Sequence, residues 1–357
     1  MAQQHALGVA LIGSGIFIKE EHLPAVLKCP SLAIKALYSR SLASAQEAAG
    51  LIPGLAPAAP TVDIYADDAG PGRGYTDLLS RPDVAAVVIA LPITTQPSFI
   101  EAALRAGKHV LAEKPVAGDL ETAKQLVKLA SNCQGDSSSP TLSIAENYRF
   151  LPRLMYMREQ ARHLGRVTHF GVRVMTLMPE TSKWCRTSWR REPTHQGGFL
   201  LDGGVHHAAG ARHFLSGPEN RAVSVRAYTD SVHETLPPLD TVVAVVRTAS
   251  GATGTFQHSV GTLMDSFEWF AACEQGSVRS DGDVVTVKAK DGQETTRKFE
   301  RVSGVTDEVK AWAASLTTGS PEPRLAPEEA LADLEFVDLM LRSGEQRGAE
   351  MTYELQP

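Results

Sequence analysis

Two short stretches of the chain carry side chains suited to holding a proton or a developing negative charge. In the first, "AEKP", Lys114 follows an apolar run and precedes Pro115, which cannot donate a backbone hydrogen bond and stiffens the turn. A lysine at the carboxyl end of a buried parallel strand can point into a cleft, where its ammonium group would stabilise charge on a reacting oxygen. The same lysine could instead be a solvated loop residue beside a proline that begins a helix.

The second stretch is "GGFLLDGGVHHAAG", in which Asp202 and His206 are four residues apart. On a helix this spacing places both side chains on one face. A histidine can pass a proton near neutral pH, and a carboxylate can orient it. His207 would point about 100° away on the same helix. The alternative is that Asp202 and His206 are helix-capping and packing residues.

A glycine turn, "LIGSGIF", follows the first apolar run and opens a predicted helix. Gly13 and Gly15 permit a tight turn there and let a pyrophosphate approach the N–H groups at the start of the helix. Ile16 and Phe17 belong to the same turn, and Ile18 occupies the position where a third small residue is usual. We interpret the turn as a dinucleotide site, although any strand-to-helix turn favours glycine.

The end of the second predicted strand, "ALYSRS", bears on the choice of nicotinamide cofactor. An acid at this point would accept the ribose 2′-hydroxyl and repel a 2′-phosphate, but the chain has Ser39, Arg40 and Ser41. A guanidinium group with neighbouring hydroxyls suits a phosphate dianion. The stretch therefore favours NADP(H) over NAD(H), unless Arg40 is an ordinary exposed arginine in a turn.

The elements that must position these residues follow two different rhythms along the chain. Up to residue 146, apolar runs alternate with amphipathic stretches of helical period, which predicts a parallel sheet covered on both faces. The Pro- and Gly-rich stretch from Gly54 to Gly74 is expected to be a surface insertion. From about residue 166, strand-like runs succeed one another with Asp-Gly turns, which predicts a largely antiparallel sheet.

These rhythms predict an α/β protein with two domains. Residues 1–146 are expected to form a Rossmann-type, doubly wound parallel sheet that binds NADP. Residues 147–357 are expected to form an α+β domain with a large, mostly antiparallel open sheet for substrate binding and oligomerisation.

Composition excludes several classes of protein. The 357 residues carry a net charge of −6 without a Lys/Arg block, so no nucleic-acid partner is expected. No run of about 18 apolar residues occurs, so no membrane span is expected. The N-terminus has no basic segment typical of a secretory signal. Four scattered cysteines without CxxC spacing predict neither a metal site nor a disulfide framework, and they fit a reducing cytoplasm.

Taken together, these stretches resemble the Gfo/Idh/MocA oxidoreductase family. The most specific match is "AGKHVLAEKPVAGDLETAKQLV", and "GIFIKEEHLP" with "GGFLLDGGVH" is similar to the fungal NADP-dependent branch. The resemblance implies that Lys114 lies beside the nicotinamide and the substrate, with Glu113 as its electrostatic partner or a ribose contact. It also implies that Asp202 contacts substrate and that His206 is the acid/base. A cis peptide bond before Pro115 is expected.

The resemblance extends to the rest of the site. "NYRF" and "TSWRREPTHQGG" are expected to line its mouth, through substrate contacts or merely through stacking. Two departures occur: Ala209 stands where an acid is frequent, and Gln96 where a histidine is frequent. The implied cofactor contacts are Gly13, Gly15, Ile16, Phe17, Ser39, Arg40, Leu91, Pro92, Glu113 and Lys114, and the candidate substrate contacts are Tyr148, Arg149, Trp189 and Arg190.

The resulting functional hypothesis is an NADP(H)-dependent oxidoreductase. It would transfer hydride to or from a carbonyl or hydroxyl carbon of a small polar substrate, such as a sugar or polyol. Lys114 and His206 would polarise or protonate the reacting oxygen. Two alternatives stay open, namely a catalytically silent NAD(P)-binding sensor and an NAD-dependent glycosidase of the same superfamily. A homodimer through the C-terminal sheet is expected.

Overall fold

The computed structural model describes residues 6–133, 135, 139–215, 217–233 and 236–356. The chain divides into two compact units. The first comprises Met1–Ala117, Glu121–Glu146 and Ser303–Ala330, and the second comprises Gly118–Leu120, Asn147–Val302 and Leu331–Pro357.

The first unit is built on six parallel strands. These are β1 (Leu7–Ile12), β2 (Leu32–Ser39), β3 (Asp63–Ala66), β4 (Ala86–Ile89), β5 (His109–Glu113) and β6 (Leu142–Ala145). They lie in the order β3-β2-β1-β4-β5-β6. The direction of winding therefore reverses between β1 and β4, and ligands of open parallel sheets bind at the carboxyl ends of strands on either side of such a reversal. Residues 9–12 of β1 and 86–89 of β4 are fully buried, as central parallel strands require.

Helices cover this sheet. They are α1 (Leu23–Leu27), α2 (Leu42–Ala49), α3 (Ile52–Leu55), α4 (Tyr75–Leu79), α5 (Gln96–Arg105) and α6 (Leu120–Cys133), with a π-helical turn at Ile18–His22 directly before α1. Ser41 begins α2 as its N-cap, and its hydroxyl accepts a hydrogen bond from the N–H of Ser44.

Two expectations about this unit were wrong in part. The stretch from Gly54 to Gly74 is not only a surface insertion, because it contains the edge strand β3, which pairs with β2 from Ala36↔Asp63 to Ser39↔Ala66. Four residues that begin with an aspartate are too short for a strand pattern to stand out. An edge strand also needs only one partner.

The second difference concerns residues 303–330, which we expected in the C-terminal domain. Their main helix, α11 (Val305–Thr318), packs on α1 and the π turn of the first unit. Its buried residues Val305, Val309, Trp312 and Ala313 have helical spacing. Such a pattern shows that a helix buries one face, but not which sheet it covers.

The second unit contains a sheet of nine strands. In chain order they are β7 (Val167–Leu177), β8 (Ala222–Asp230), β9 (Thr241–Thr248), β10 (Thr253–Ser259), β11 (Gly261–Cys273), β12 (Gly276–Asp281), β13 (Val284–Ala289), β14 (Glu294–Lys298) and β15 (Met351–Thr352). Their spatial order is β14-β13-β12-β11-β7-β10-β9-β8-β15. All neighbours are antiparallel except β7 and β10. The predicted fold class is thus confirmed.

The remaining helices are α7 (Pro152–His163), α8 (Ser188–Arg191), α9 (Phe199–Asp202), α10 (Gly204–Phe214) and α12 (Pro327–Glu345), and a 3-10 turn at Asn147–Phe150 precedes α7. The remaining candidate residues lie on this 3-10 turn and on α8, α9 and α10, and α12 begins in the stretch up to Ala330 that belongs to the first unit. Trp269 of β11 is fully buried and packs edge-on against Phe214 of α10. In the part of the chain that the structure describes, no helix has both the length and the apolar character needed to cross a membrane.

Candidate active site

The glycine turn lies at the carboxyl end of β1, at the point where the sheet reverses. Gly13 has a φ of +114°, and a Cβ atom there would lie 2.4 Å from the carbonyl oxygen of Ala90, so only glycine fits. Gly15 is exposed, and a Cβ atom there would have no heavy atom within 4 Å. Ile16 and Phe17 open the helical segment and are half-buried. The backbone at Gly15 is therefore accessible to a ligand.

The end of β2 lies against this turn. The hydroxyls of Ser14 and Ser39 are 2.6 Å apart, and Ser39 is nearly buried whereas Arg40 is exposed. Asp68, which comes after β3, accepts a hydrogen bond of 2.6 Å from the N–H of Leu42. The Ser14–Ser39 hydroxyl pair, the exposed Arg40 and the Asp68 carboxylate therefore all belong to segments that end or follow β1, β2 and β3.

A second acid, Asp67, directly precedes Asp68. Its carboxylate accepts the hydroxyl of Tyr38 at 2.6 Å. Burial and this carboxylate raise the pKa of Tyr38 well above its usual range. Tyr38 therefore stays a neutral donor, and Asp67 is committed to it.

Leu91 and Pro92 come after β4, and the residues Glu113-Lys114-Pro115, here named the EKP turn, end β5. The structure confirms the expected cis peptide bond between Lys114 and Pro115. Glu113 and Lys114 are half-buried, and Pro115 is buried. The glycine turn and the EKP turn therefore lie at the carboxyl ends of β1 and β5, with β4 between them.

Two buried side chains hold the EKP turn. His22 in the π turn places its Nε2 atom 2.7 Å from Oε1 of Glu113. Gln96, the first residue of α5, donates from Nε2 to the carbonyl oxygens of Glu113 and Pro115. His22 was not among our candidates for the site, and Gln96 was noted only as standing where a histidine is frequent in the family. A polar residue at a helical position that should face the sheet was the available signal for both.

In the second unit, Asp202 and Arg190 form an ion pair. Nε of Arg190 lies 2.6 Å from Oδ2 of Asp202, and the two side chains are 14% and 7% exposed, respectively. The guanidinium carbon of Arg190 lies 3.9 Å from the ring centre of Trp189 and 5.0 Å from that of Trp184. Asp202 ends α9 and Gly203 separates it from α10, so Asp202 and His206 are on consecutive short helices. Trp184 was not among the predicted site residues, although the tryptophans and arginines of "WCRTSWR" could have indicated cation–π contacts in this segment.

The two adjacent histidines of α10 have different environments. His206 is half-buried and its ring stacks on Tyr148, with centroids 4.7 Å apart and planes 14° from parallel. His207 is buried and meets His258 edge-on at 4.6 Å. Burial lowers the pKa of His258 to about 4, so His258 is neutral near pH 7. Of His206 and His207, His206 is therefore the one that a reactant can reach.

Of the four candidate substrate contacts, Arg149 is the one that the structure buries. It is 3% exposed, and its guanidinium group forms an ion pair with Asp333, which also pairs with Arg212. An arginine committed to a buried carboxylate supports packing of the second unit. Tyr148, Trp189 and Arg190 are half-buried and remain candidates.

Comparisons with known proteins agree on the family. Residues 7–135 match the profile of the oxidoreductase family with an NAD-binding Rossmann fold, and residues 157–279 match the Gfo/Idh/MocA C-terminal domain. The chain is 38% identical over 354 residues to dehydrogenase FPY6 of Fusarium mangiferae, an alignment that covers 94% of this chain and 96% of the relative. The chain belongs to the Gfo/Idh/MocA oxidoreductase family.

More distant relatives are enzymes as well. The chain is 26% identical over 284 residues to D-xylose 1-dehydrogenase (NADP(+)) 2 of Haloferax volcanii, covering 77% of this chain and 82% of that one. A crystal structure of an oxidoreductase from Thermotoga maritima superposes with a TM-score of 0.85 at 28% identity and covers 98% of this chain and 99% of its own. This Gfo/Idh/MocA protein is an NAD(P)-dependent oxidoreductase.

The residues present fit a dinucleotide of this kind. Gly13 allows the close turn that only glycine accepts, Gly15 leaves room for a phosphate, and the N–H groups at the start of a helix face anions favourably. Ser14, Ser39 and Arg40 carry donors of the kind that a ribose hydroxyl or a phosphate accepts. Among the described residues, no group of three or more His, Cys, Asp or Glu side chains is arranged to hold a metal ion.

Proposed function

We propose that this oxidoreductase uses NADP(H) and transfers hydride to or from a carbonyl or hydroxyl carbon of a small polar substrate, a sugar, polyol or related carbonyl compound. The observation that carries the proposal is the placement of the glycine turn and the EKP turn at the carboxyl ends of β1 and β5, on either side of β4. The names of relatives, a xylose dehydrogenase and a ketoreductase of a deoxy sugar among them, support the substrate class.

Several residues of the first unit would hold the cofactor. They are Gly13, Gly15, Ile16 and Phe17 in the glycine turn, Ser39 and Arg40 at the end of β2, Leu91 and Pro92 after β4, and Glu113 with Lys114 in the EKP turn. The nicotinamide ring supplies or accepts the hydride when the cofactor is bound.

Lys114 and His206 would both act on the reacting oxygen. The ammonium group of Lys114 would donate a hydrogen bond to this oxygen and stabilise negative charge on it. His206, half-buried and stacked on Tyr148, would give or take the proton. Asp202, held by Arg190, would accept hydrogen bonds from substrate hydroxyls. Tyr148, Trp189 and Arg190 would bind the substrate, whereas the buried Arg149 would support the fold of the second unit.

The preference for NADP(H) rests on Arg40. Arg40 is exposed and follows Ser39, whose hydroxyl lies 2.6 Å from that of Ser14, and the acids Asp67 and Asp68 already accept donors from Tyr38 and Leu42. Arg40→Ala should weaken NADPH binding about 10- to 100-fold, the scale of one charge-assisted hydrogen bond, and change NADH binding little. Titration of both reduced cofactors by fluorescence measures this. Equal losses, or tighter NADH binding by the native protein, would contradict the preference.

A substrate panel tests the reaction. Sugars, polyols, their oxidised forms and glycosides would be offered with NADP⁺ or NADPH, and both nicotinamide absorbance and the release of free sugar would be followed. We expect turnover of at least one member. Cofactor binding without turnover of any member would favour the sensor. Cleavage of a glycoside without net change in absorbance would favour the glycosidase.

We further propose a cytoplasmic homodimer. All four cysteines are unpaired, which fits a reducing compartment. On the second sheet, Tyr228 pairs with Val243, Val245 lies two residues further along, and these three side chains are 68%, 43% and 53% exposed. An exposed apolar patch of this kind suits a protein–protein interface. Val245→Asp should convert a dimer to a monomer in sedimentation, and a native monomer at all concentrations would exclude it.

A further inference from the structure

The helix after the glycine turn begins with a wide turn. Ile18–His22 is π-helical, and the N–H of Leu23 bonds to the carbonyl oxygen of Ile18, five residues back. π turns are rare and occur frequently at functional sites. The extra residue rotates the remainder of the helix by about 100° compared with an uninterrupted α-helix. Ile18, which replaces the third small residue of the usual fingerprint, is fully buried at this turn. The local geometry therefore decides which way His22 faces.

His22 faces the EKP turn and is fully buried. Its Nε2 atom is 2.7 Å from Oε1 of Glu113, and a carboxylate can only accept, so Nε2 carries the donated proton. Nδ1 makes no hydrogen bond to any residue that the structure describes. Phe17 packs edge-on against the imidazole at 5.3 Å. The ring is therefore fixed on one side by packing and on the other by Glu113.

Glu113 connects His22 to the backbone of Lys114 by a second hydrogen bond. Its second oxygen, Oε2, accepts a hydrogen bond of 3.2 Å from the N–H of Lys114. The carboxylate thus bridges the π turn and the main chain of the lysine. Gln96, 1% exposed, holds the carbonyl oxygens of Glu113 and Pro115 from the side of α5. Side-chain and main-chain groups of the turn are therefore both restrained.

We propose that His22 is a positioning residue for Lys114, acting through Glu113, an inference that rests on the catalytic role of Lys114 in the proposed function. His22 belongs to the helical segment that starts at the glycine turn, so the segment that would bind the pyrophosphate also sets the place of the lysine. A group that must meet a reacting oxygen depends strongly on such support, because misplacement by about 1 Å can cost about 10²-fold in rate.

Two substitutions of His22 separate its hydrogen bond from its bulk. The amide nitrogen of Gln can occupy the position of histidine Nε2, whereas that of Asn corresponds to Nδ1 and falls short of Glu113. His22→Gln should therefore retain the restraint and His22→Asn should lose it. His163→Asn, which changes an exposed histidine in the second unit, serves as the control for handling and for loss of a histidine.

The first measurement is hydrogen–deuterium exchange of peptides covering residues 109–117, on the full chain without cofactor or substrate. His22→Asn should speed exchange there about tenfold or more, the factor that loss of one charge-assisted hydrogen bond allows. His22→Gln and His163→Asn should exchange like the native protein. Unchanged exchange in His22→Asn, or equal acceleration in His22→Gln, would overturn the proposal.

The second measurement is turnover with saturating cofactor on any substrate found active. We expect kcat of His22→Asn to fall about 10- to 100-fold with KM nearly unchanged, and His22→Gln to keep most of the native kcat. A change in KM alone would overturn the proposal. If no substrate is found, the proposed function fails, while the exchange experiment still decides whether His22 holds the turn.

Glu113→Ala provides a route if His22→Asn does not fold. Glu113 is 12% exposed, so its removal perturbs the core less than a change at His22. It should accelerate exchange of residues 109–117 as His22→Asn does, and adding His22→Gln to it should have no further effect. Exchange unchanged by Glu113→Ala would also contradict the proposed link.

Discussion

The EKP turn and the segment around Asp202 and His206 hold their candidate site residues in different ways. In the EKP turn, buried donors fix one carboxylate and two carbonyl oxygens through hydrogen bonds. Around Asp202 and His206, aromatic faces provide much of the support, since Arg190 lies over two tryptophans and His206 stacks on Tyr148. The EKP turn is held mainly by hydrogen bonds, and the segment around Asp202 and His206 is held largely by stacking of planar groups.

The difference has a physical consequence. A hydrogen bond loses its strength when its distance or angle changes slightly, so it fixes an atom closely. Ring stacking and cation–π contacts tolerate sliding across the ring face. In the proposed function, a hydrogen-bonded turn would suit the part of the site that meets the same nicotinamide in each cycle. Stacked side chains would suit the part that accepts the shape of a substrate.

The largest effect that we expect comes from the hydrogen-bonded region. Lys114→Ala should lower kcat about 10²- to 10³-fold, the scale for removal of one oriented donor at a developing charge. Cofactor affinity and thermal stability should change much less, as measured by titration and calorimetry. Lys128→Ala removes a lysine from α6, outside the candidate site, and should leave kcat unchanged. Native turnover in Lys114→Ala would mean that the lysine is a solvated residue of the turn without a catalytic role.

The next effect belongs to the stacked region. His206→Ala should lower kcat about 10²-fold, because positioned proton transfer contributes at least this much, and one limb of the pH–rate profile should disappear. The double variant with Lys114→Ala should lose much less than the product of the single losses, because the proposed function has both groups act on one oxygen. Multiplicative losses would show that Lys114 and His206 act on different atoms, so that the two regions would not be two supports of one reacting centre.

Sequence analysis predicted the parts of these regions that depend on local pattern. Buried runs such as residues 32–39 showed the strands of the first sheet, and the glycine turn together with "AEKP" indicated which of their ends carry chemistry. The supporting residues could not be predicted in this way. His22 contacts Glu113 across 91 residues of chain, and it lies in a π turn that the sequence pattern did not predict.

Arg149 and β3 are two further cases that the sequence pattern could not predict. An arginine in a short polar motif looks the same whether it meets substrate or a buried acid, and its partner Asp333 is 184 residues away. The four residues of β3 become a strand because an edge of the sheet is available to them. In both cases tertiary context decides, and no local pattern contains it.

A smaller effect should come from His258, whose ring meets His207 edge-on. His258 is buried and its pKa is lowered to about 4, while in the unfolded chain it has its ordinary value of 6.5. Between these values the unfolded chain binds a proton that the folded one does not, so stability is lost as the pH falls through this window. From about pH 7 to about pH 5 the loss should be about 2 kcal/mol. Urea unfolding of native protein and His258→Gln measures it, and an equal pH dependence in both would contradict it.

The smallest effect tests whether the tryptophan faces matter apart from charge. Arg190→Lys keeps the charge beside Asp202 but loses the planar group that lies 3.9 Å from the ring centre of Trp189. A partly buried cation–π contact is worth about 1 kcal/mol, so kcat/KM should fall about fivefold. Arg186→Lys, an exposed change in the same segment, is the matched control. In a Trp189→Leu background, Arg190→Lys should cost little more. A full loss there would assign the effect to the ion pair with Asp202, and the two regions would then both depend on hydrogen-bond geometry.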